Sequence, residues 1–133
     1  MEEIYKNLDL ENLEGKEWRP VIEYEGLYQV SSLGRVKSLK DNHNNTREKI
    51  LRQVKLKNGY LVVNLWKGGK YKTCLVHRLV ATAFLDNPNN FRCVNHKDEN
   101  KENNIVSNLE WCTYQYNNTY GTCQARRVAN IDW

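Results

Sequence analysis

Three side chains in the second half of the chain could work together on a phosphodiester: Asn95, His96 and Asn117. His96 has an ordinary pKa of about 6.5, so it can accept a proton from water near neutral pH. The carboxamide oxygens of Asn95 and Asn117 are hard donors of the kind that Mg²⁺ or Mn²⁺ takes. One such ion could bind a phosphate oxygen and the leaving 3′ oxygen while His96 activates water on the other side.

These residues need a frame, and the sequence supplies one. Cys93 to His96 is a short apolar-flanked run, Lys97 to Asn104 is rich in turn formers, and Ser107 to Trp111 is a second short run. Val94, Leu109 and Trp111 are the apolar anchors of the two strands, and the Asn100–Asn104 linker is expected to be too polar for burial. Thr113 stands where a cap belongs for a helix over Tyr114 to Tyr120, and Gly121 stands where that helix should end. The expected unit is a ββα hairpin-plus-helix in which one imidazole and two carboxamides face one point. Upstream, Val76, Leu79, Val80, Ala83 and Phe84 fall on one helical face, and that helix should end before Asn87-Pro88. His77 at its start is expected to serve the helix start or the core rather than a ligand set.

Asn95-His96-Lys97-Asp98, with Asn108-Leu109-Glu110-Trp111 and Asn117, resembles the HNH nuclease motif, in the branch found in homing endonucleases of phage introns. The resemblance extends over Val76 to Gly121. It implies a general base at His96, a metal ligand at Asn117 and a loop-holding residue at Asn108. The residue before the His is a second metal ligand and is often Asp; here it is Asn95, a neutral ligand, which implies weaker metal affinity. A second stretch, Tyr24 to Ser31 with Gly34-Arg35-Val36, resembles a small β module that often precedes this motif. Longer members carry a separate DNA-reading module after the motif, so a chain ending at Trp133 is expected to read fewer base pairs.

At 133 residues, 40% of them hydrophobic, the chain suits one domain, or one domain with an elaborated sheet. It has no apolar run of the roughly 20 residues that a membrane span needs. The first residues lack the pattern of a signal peptide, so the expected location is intracellular; the resemblance implies a phage-encoded protein in the cytoplasm of a bacterial host. The four cysteines (Cys74, Cys93, Cys112, Cys123) form no Cys-x-x-Cys pair, so no structural zinc is expected and the first three are expected to be reduced core thiols. The net charge of +4 conceals a division. Residues 1–17 carry six acids against two lysines, whereas residues 35–72 carry eleven basic residues against Asp41 and Glu48. A field of that sign draws polyanions.

The chain therefore divides into an acidic tail (1–17), a basic antiparallel β-sheet region for DNA (18–75), an HNH ββα nuclease domain (76–121) and a short extension (122–133). Whether residues 1–17 form a short helix, a strap or a disordered tail is open. Pro20, Gly26 and Ser31–Gly34 punctuate three early strands. Residues 49–76 are expected to form a three-stranded meander turning at Asn58-Gly59 and Lys67–Lys70. His43, in the polar loop 41–47, is read as solvated rather than as a ligand. Expected DNA contacts are Arg35, Lys37, Lys55, Lys57, Lys67, Lys70, Lys72, Arg78 and Lys97. Lys55, Lys57 and Lys72 are expected on the polar side of the sheet, setting position on phosphates.

The fold class is α+β: an N-terminal antiparallel sheet region, then a helix, then a ββα-metal (HNH) motif. The function so implied is a metal-dependent DNA endonuclease, nicking double-stranded DNA, using one Mg²⁺ or Mn²⁺ and acting as a monomer by default, with a dimer left open. The alternative is a non-catalytic DNA-binding protein that keeps the HNH-like shell.

Overall fold

The computed structural model describes residues 4–6, 16–39 and 47–119, and the fold is α+β. His43, Gly121, the 122–133 extension and most of the acidic segment lie outside the described residues. Of that segment, Ile4–Lys6 forms a 3₁₀ turn, and the Tyr5 hydroxyl donates to Glu102 Oε1 at 2.7 Å, strapping the turn to a distant loop.

The first sheet is four-stranded and antiparallel, in the order β1 (Trp18–Pro20), β2 (Tyr28–Ser31), β3 (Val36–Ser38), β4 (Lys49–Ile50). The second is three-stranded: β5 (Val54–Lys55), β6 (Leu61–Lys67), β7 (Lys70–Leu75). The expected strand across Ile50–Lys57 is therefore split between two sheets. Ile50 pairs with Lys37 and faces the first sheet's interior, whereas Val54 pairs with Val62 and is exposed. The β6–β7 turn has Gly68 and Gly69 at φ 60° and 79°. Two successive positive φ values match the twist of a tight hairpin, and only glycine adopts them without steric cost.

Strand β7 runs into helix α1 (Val76–Phe84) with no intervening loop. Its buried stripe, Val76, Val80 and Ala81, packs with Val21, Tyr28, Val30 and Val36 of the first sheet region and Leu61, Val63 and Leu65 of the second. The same core takes in Val94 of β8 (Cys93–His96) and Leu109 of β9 (Leu109–Cys112). The Leu75/Val76 step marks a change of element, but one continuous core spans it. Helix α2 (Tyr114–Thr119) follows, with Tyr116 N donating to Thr113 Oγ1 at 3.1 Å, the cap that the sequence predicts. No described helix is long and apolar enough to cross a membrane.

Candidate active site

Strands β8 and β9 pair antiparallel, with Cys93 opposite Cys112, Val94 opposite Trp111, Asn95 opposite Glu110 and His96 opposite Leu109. Side chains alternate across a strand. One face of the hairpin thus carries Cys93, Asn95, Glu110 and Cys112; the other carries Val94, His96, Leu109 and Trp111. The second face meets the core. The first lies toward α2, since the Tyr116 hydroxyl on that helix donates to Glu110 Oε2 at 3.4 Å.

On the α2 face, Asn95 Nδ2 donates to Glu110 Oε2 at 2.8 Å. This leaves Asn95 Oδ1 without a hydrogen bond among the described residues. Asn117 is half-buried on α2, and its side chain likewise makes no hydrogen bond there. Two carboxamide oxygens with uncommitted lone pairs fit a hard divalent cation. Cys112 does not fit one: burial first, then the neighbouring Cys93 and Glu110, pushes its thiol up to about 11. Cys74, Cys93 and Cys112 are all free thiols.

On the core face, the His96 ring is 5% exposed, with its centroid 5.0 Å from that of His77 and 6.1 Å from that of Tyr60. Its Nε2 lies 2.7 Å from Asn104 Oδ1. An amide oxygen only accepts, so that contact places the ring proton on Nε2 and leaves the lone pair on Nδ1. Nδ1 makes no hydrogen bond among the described residues. Burial lowers the pKa of His96 from its ordinary value, and Lys101 adds to that; the Asn104 bond and Asp98 oppose it. The ring is therefore neutral at pH 7. His77 is depressed further, to about 3, by burial, then by His96 and Arg78. It stacks on Tyr60 at 5.0 Å and serves as a neutral packing partner behind His96.

The expectation that imidazole and carboxamides face one point is corrected here. Asn95 and His96 are adjacent on β8, so they leave it on opposite faces, and no side-chain hydrogen bond among the described residues joins His96 to Asn95 or Asn117. An in-line displacement puts the attacking water and the leaving oxygen on opposite sides of phosphorus, so a base and an ion ligand need not share a face.

The 97–108 loop is held by Asp98 and Asn108. Asn108 Oδ1 accepts from Asp98 N at 3.0 Å; its Nδ2 donates to Asp98 Oδ1 at 2.9 Å and to the Asn103 carbonyl at 2.8 Å. Burial pushes the Asp98 carboxyl up, but hydrogen bonds from Asn103, the Asn100 backbone and Asn108 outweigh it and hold the group below its ordinary value. Asn104 corrects the expectation of an exposed linker. It is 4% exposed, its side-chain oxygen is satisfied by His96, and its backbone lies against Gly34. Sequence reasoning passed over Asn104 and Glu110: the first looked like one more loop Asn, and the second like an ordinary strand residue opposite Asn95.

The expected DNA contacts separate into three groups. Arg35 is corrected: it is 0% exposed, inside the fold rather than facing a phosphate. Lys37 is corrected as well: its side chain, 11% exposed, pairs with Glu48 at 3.0 Å and lies over the Trp18 ring at 4.5 Å. Others are partly committed. Lys55 pairs with Glu102 at 3.2 Å, Lys67 donates to the Glu23 carbonyl, and Arg78 donates to the Arg92 carbonyl and lies over Trp111. Lys57, Lys70 and Lys72 are exposed and make no ion pair among the described residues, and Lys97 is exposed in the loop after His96. Lys72 pairs with Leu65 and so lies on the inner face of the β6–β7 ribbon, not on its polar side. The outer face presents Asn64, Thr73, Trp66 and Tyr71 instead, with the Thr73 hydroxyl donating to Asn64 Oδ1 at 2.7 Å.

Comparison with known proteins bears on this arrangement. The family described as the NUMOD4 motif matches residues 17–66, which span the first sheet and reach into β6. DNA endonuclease I-HmuI of Bacillus phage SP01 is 40% identical over 122 residues, covering 86% of this chain and 67% of the relative. An uncharacterized HNH endonuclease of Acanthamoeba polyphaga mimivirus, L245, is 38% identical over 100 residues, 75% of this chain but 28% of that protein. A solved structure of DNA binding and cleavage by the HNH homing endonuclease I-HmuI superposes with a TM-score of 0.67 at 40% identity, over 86% of this chain and 67% of that one. At 40% identity with a relative that it covers by two thirds, the chain belongs to the HNH endonuclease family.

Proposed function

We propose that this HNH endonuclease hydrolyses phosphodiester bonds in double-stranded DNA, one strand per encounter, with His96 as general base and one divalent ion, Mg²⁺ or Mn²⁺, held by Asn95 and Asn117. The observation that supports it best is the Nε2–Asn104 hydrogen bond, which presents Nδ1 of a neutral imidazole as the base. His96 takes a proton from the attacking water at Nδ1 while Asn104 keeps the other nitrogen protonated and the ring oriented. Asn108 acts as a positioning residue, fixing the loop through Asp98 and Asn103. The ion, when bound, stabilises charge on the phosphate and the leaving oxygen.

In this reading residues 18–75 are the DNA-binding region and residues 76–121 the nuclease unit. Lys57, Lys70, Lys72 and Lys97 meet phosphates, which sets position rather than sequence preference. The protein acts as a monomer inside a bacterial host, as a phage-encoded enzyme would.

Supercoiled plasmid tests this directly. Wild type with Mg²⁺ or Mn²⁺ should convert it to open circle, EDTA should stop the conversion, and His96→Ala should lose it. Equal conversion by wild type and His96→Ala removes His96 from the mechanism.

A further inference from the structure

We propose that Glu110 is the charged ligand of the divalent-ion site, standing across the hairpin from the neutral Asn95. The proposal rests on the reading of Asn95 and Asn117 as metal ligands. Asn95 and Glu110 are directly paired in the β8–β9 register, so both side chains leave the same face. Asn95 Nδ2 donates to Glu110 Oε2 at 2.8 Å, and the Tyr116 hydroxyl of α2 reaches the same oxygen at 3.4 Å. The carboxylate therefore lies between the strand that carries Asn95 and the helix that carries Asn117.

The charge of Glu110 has no answer within the described fold. The residue is half-buried, and no Lys or Arg among the described residues pairs with it. Its partners on that face are a carboxamide and a phenol. Removing a carboxylate from water without a counter-cation is unfavourable, and a divalent ion would supply that cation. The donor set asks for it in turn. Two carboxamides bring no charge, whereas protein sites for Mg²⁺ usually include one or two carboxylates. The negative charge that an acid at position 95 would bring is thus displaced one strand across the hairpin, to position 110.

The competing account is that Glu110 only props the Asn95 amide. Glu110→Gln separates the two, because a Gln oxygen still accepts from Asn95 Nδ2 but carries no charge. The experiment titrates Mn²⁺ alone into the full chain, follows free Mn²⁺ by electron paramagnetic resonance, and checks each variant's fold by circular dichroism. Glu110→Gln should weaken Mn²⁺ binding by about tenfold or more, and Glu110→Asp, which keeps the charge, should bind within a few-fold of wild type. Asn95→Asp should tighten binding and restore most of the affinity to the Glu110→Gln variant. Wild-type affinity in Glu110→Gln, alongside abolished binding in Asn117→Ala, overturns the role of Glu110 and leaves the site reading intact. Unchanged affinity in both Asn95→Ala and Asn117→Ala overturns the site reading, and the role of Glu110 with it.

Discussion

Lowering the pH from 7.5 to 5.0 should cost the fold about 2 kcal/mol through one ring, that of His77. The ring is 6% exposed, and burial, then His96, then Arg78, holds its pKa down at about 3 against an ordinary 6.5. Between those values the unfolded chain binds a proton that the folded chain refuses. Stability is therefore full above about pH 6.5 and falls as pH drops toward 3. Each pH unit within that window is worth about 1.4 kcal/mol, so the 1.5 units between 6.5 and 5.0 give about 2 kcal/mol, and the whole window about 5. The His96 pKa is also depressed, so His96 adds to the loss in the same direction. The depressed carboxyls of Asp98 and Glu102 release their share only below their ordinary values near 4, which is why pH 5.0 is the lower point. The assay is urea unfolding followed by tryptophan fluorescence at both pH values, for wild type and His77→Phe. Phenylalanine keeps a ring against Tyr60, 5.0 Å away, and cannot titrate; His77 makes no hydrogen bond among the described residues that the change would break. The variant should keep only the His96 part of the acid loss. An acid loss in His77→Phe as large as in wild type refutes the assignment of His77 as a buried neutral ring.

Two further outcomes follow from the geometry. Gly34→Ala should destabilise the fold by about 1–2 kcal/mol from its left-handed backbone alone, and more from steric overlap, because an added Cβ would stand 2.9 Å from the Asn104 carbonyl at φ +86°; urea unfolding gives the loss, and the His96 ring proton signals by NMR should move with it. The triple variant Lys57→Ala, Lys70→Ala, Lys72→Ala should flatten the dependence of log K on log salt for DNA binding by up to about 2.7, roughly 0.9 for each phosphate no longer neutralised, whereas Lys37→Ala, whose charge is already matched by Glu48, should leave that slope unchanged.

The elements that carry local signals were legible. The apolar stripe of Val76–Phe84, the paired glycines at 68 and 69 and the Thr113 cap each act within a few residues, and each appears where the sequence places it. The ββα arrangement was legible too, because Val94 and Leu109 must be buried if the hairpin is to hold. What escaped was long-range. Alternation of charge in Arg35-Val36-Lys37 suggests a polar face, but Ser31–Gly34 turns the chain so that Arg35 ends inside and Lys37 meets Glu48, eleven residues on. Burial of Asn104 depends on an imidazole eight residues away and on a glycine in the β2–β3 turn, and composition carries neither fact. The opposite-face placement of Asn95 and His96, by contrast, follows from strand alternation alone.

The contacts around Asn104 tie the N-terminal β module to the loop that carries the partner of His96. The carbonyl and Cβ of Asn104 lie where Gly34 leaves room, Gln53 Nε2 fastens the Gly34 carbonyl at 2.8 Å, and Val106 N donates to the Ser32 carbonyl at 2.8 Å. Residues 32, 34 and 53 all belong to the stretch matched by the NUMOD4 motif, while 104 and 106 belong to the loop that orients His96. Lys101 closes a second route: its Nζ donates to the Asn58 carbonyl at 2.8 Å and lies over the Tyr60 ring at 4.6 Å, next to the His77–His96 stack. A hairpin and a six-residue helix have too little surface to fix an imidazole by themselves. The sheet region supplies that rigidity, holding the Asn104 partner of His96 through backbone contacts with little room to give.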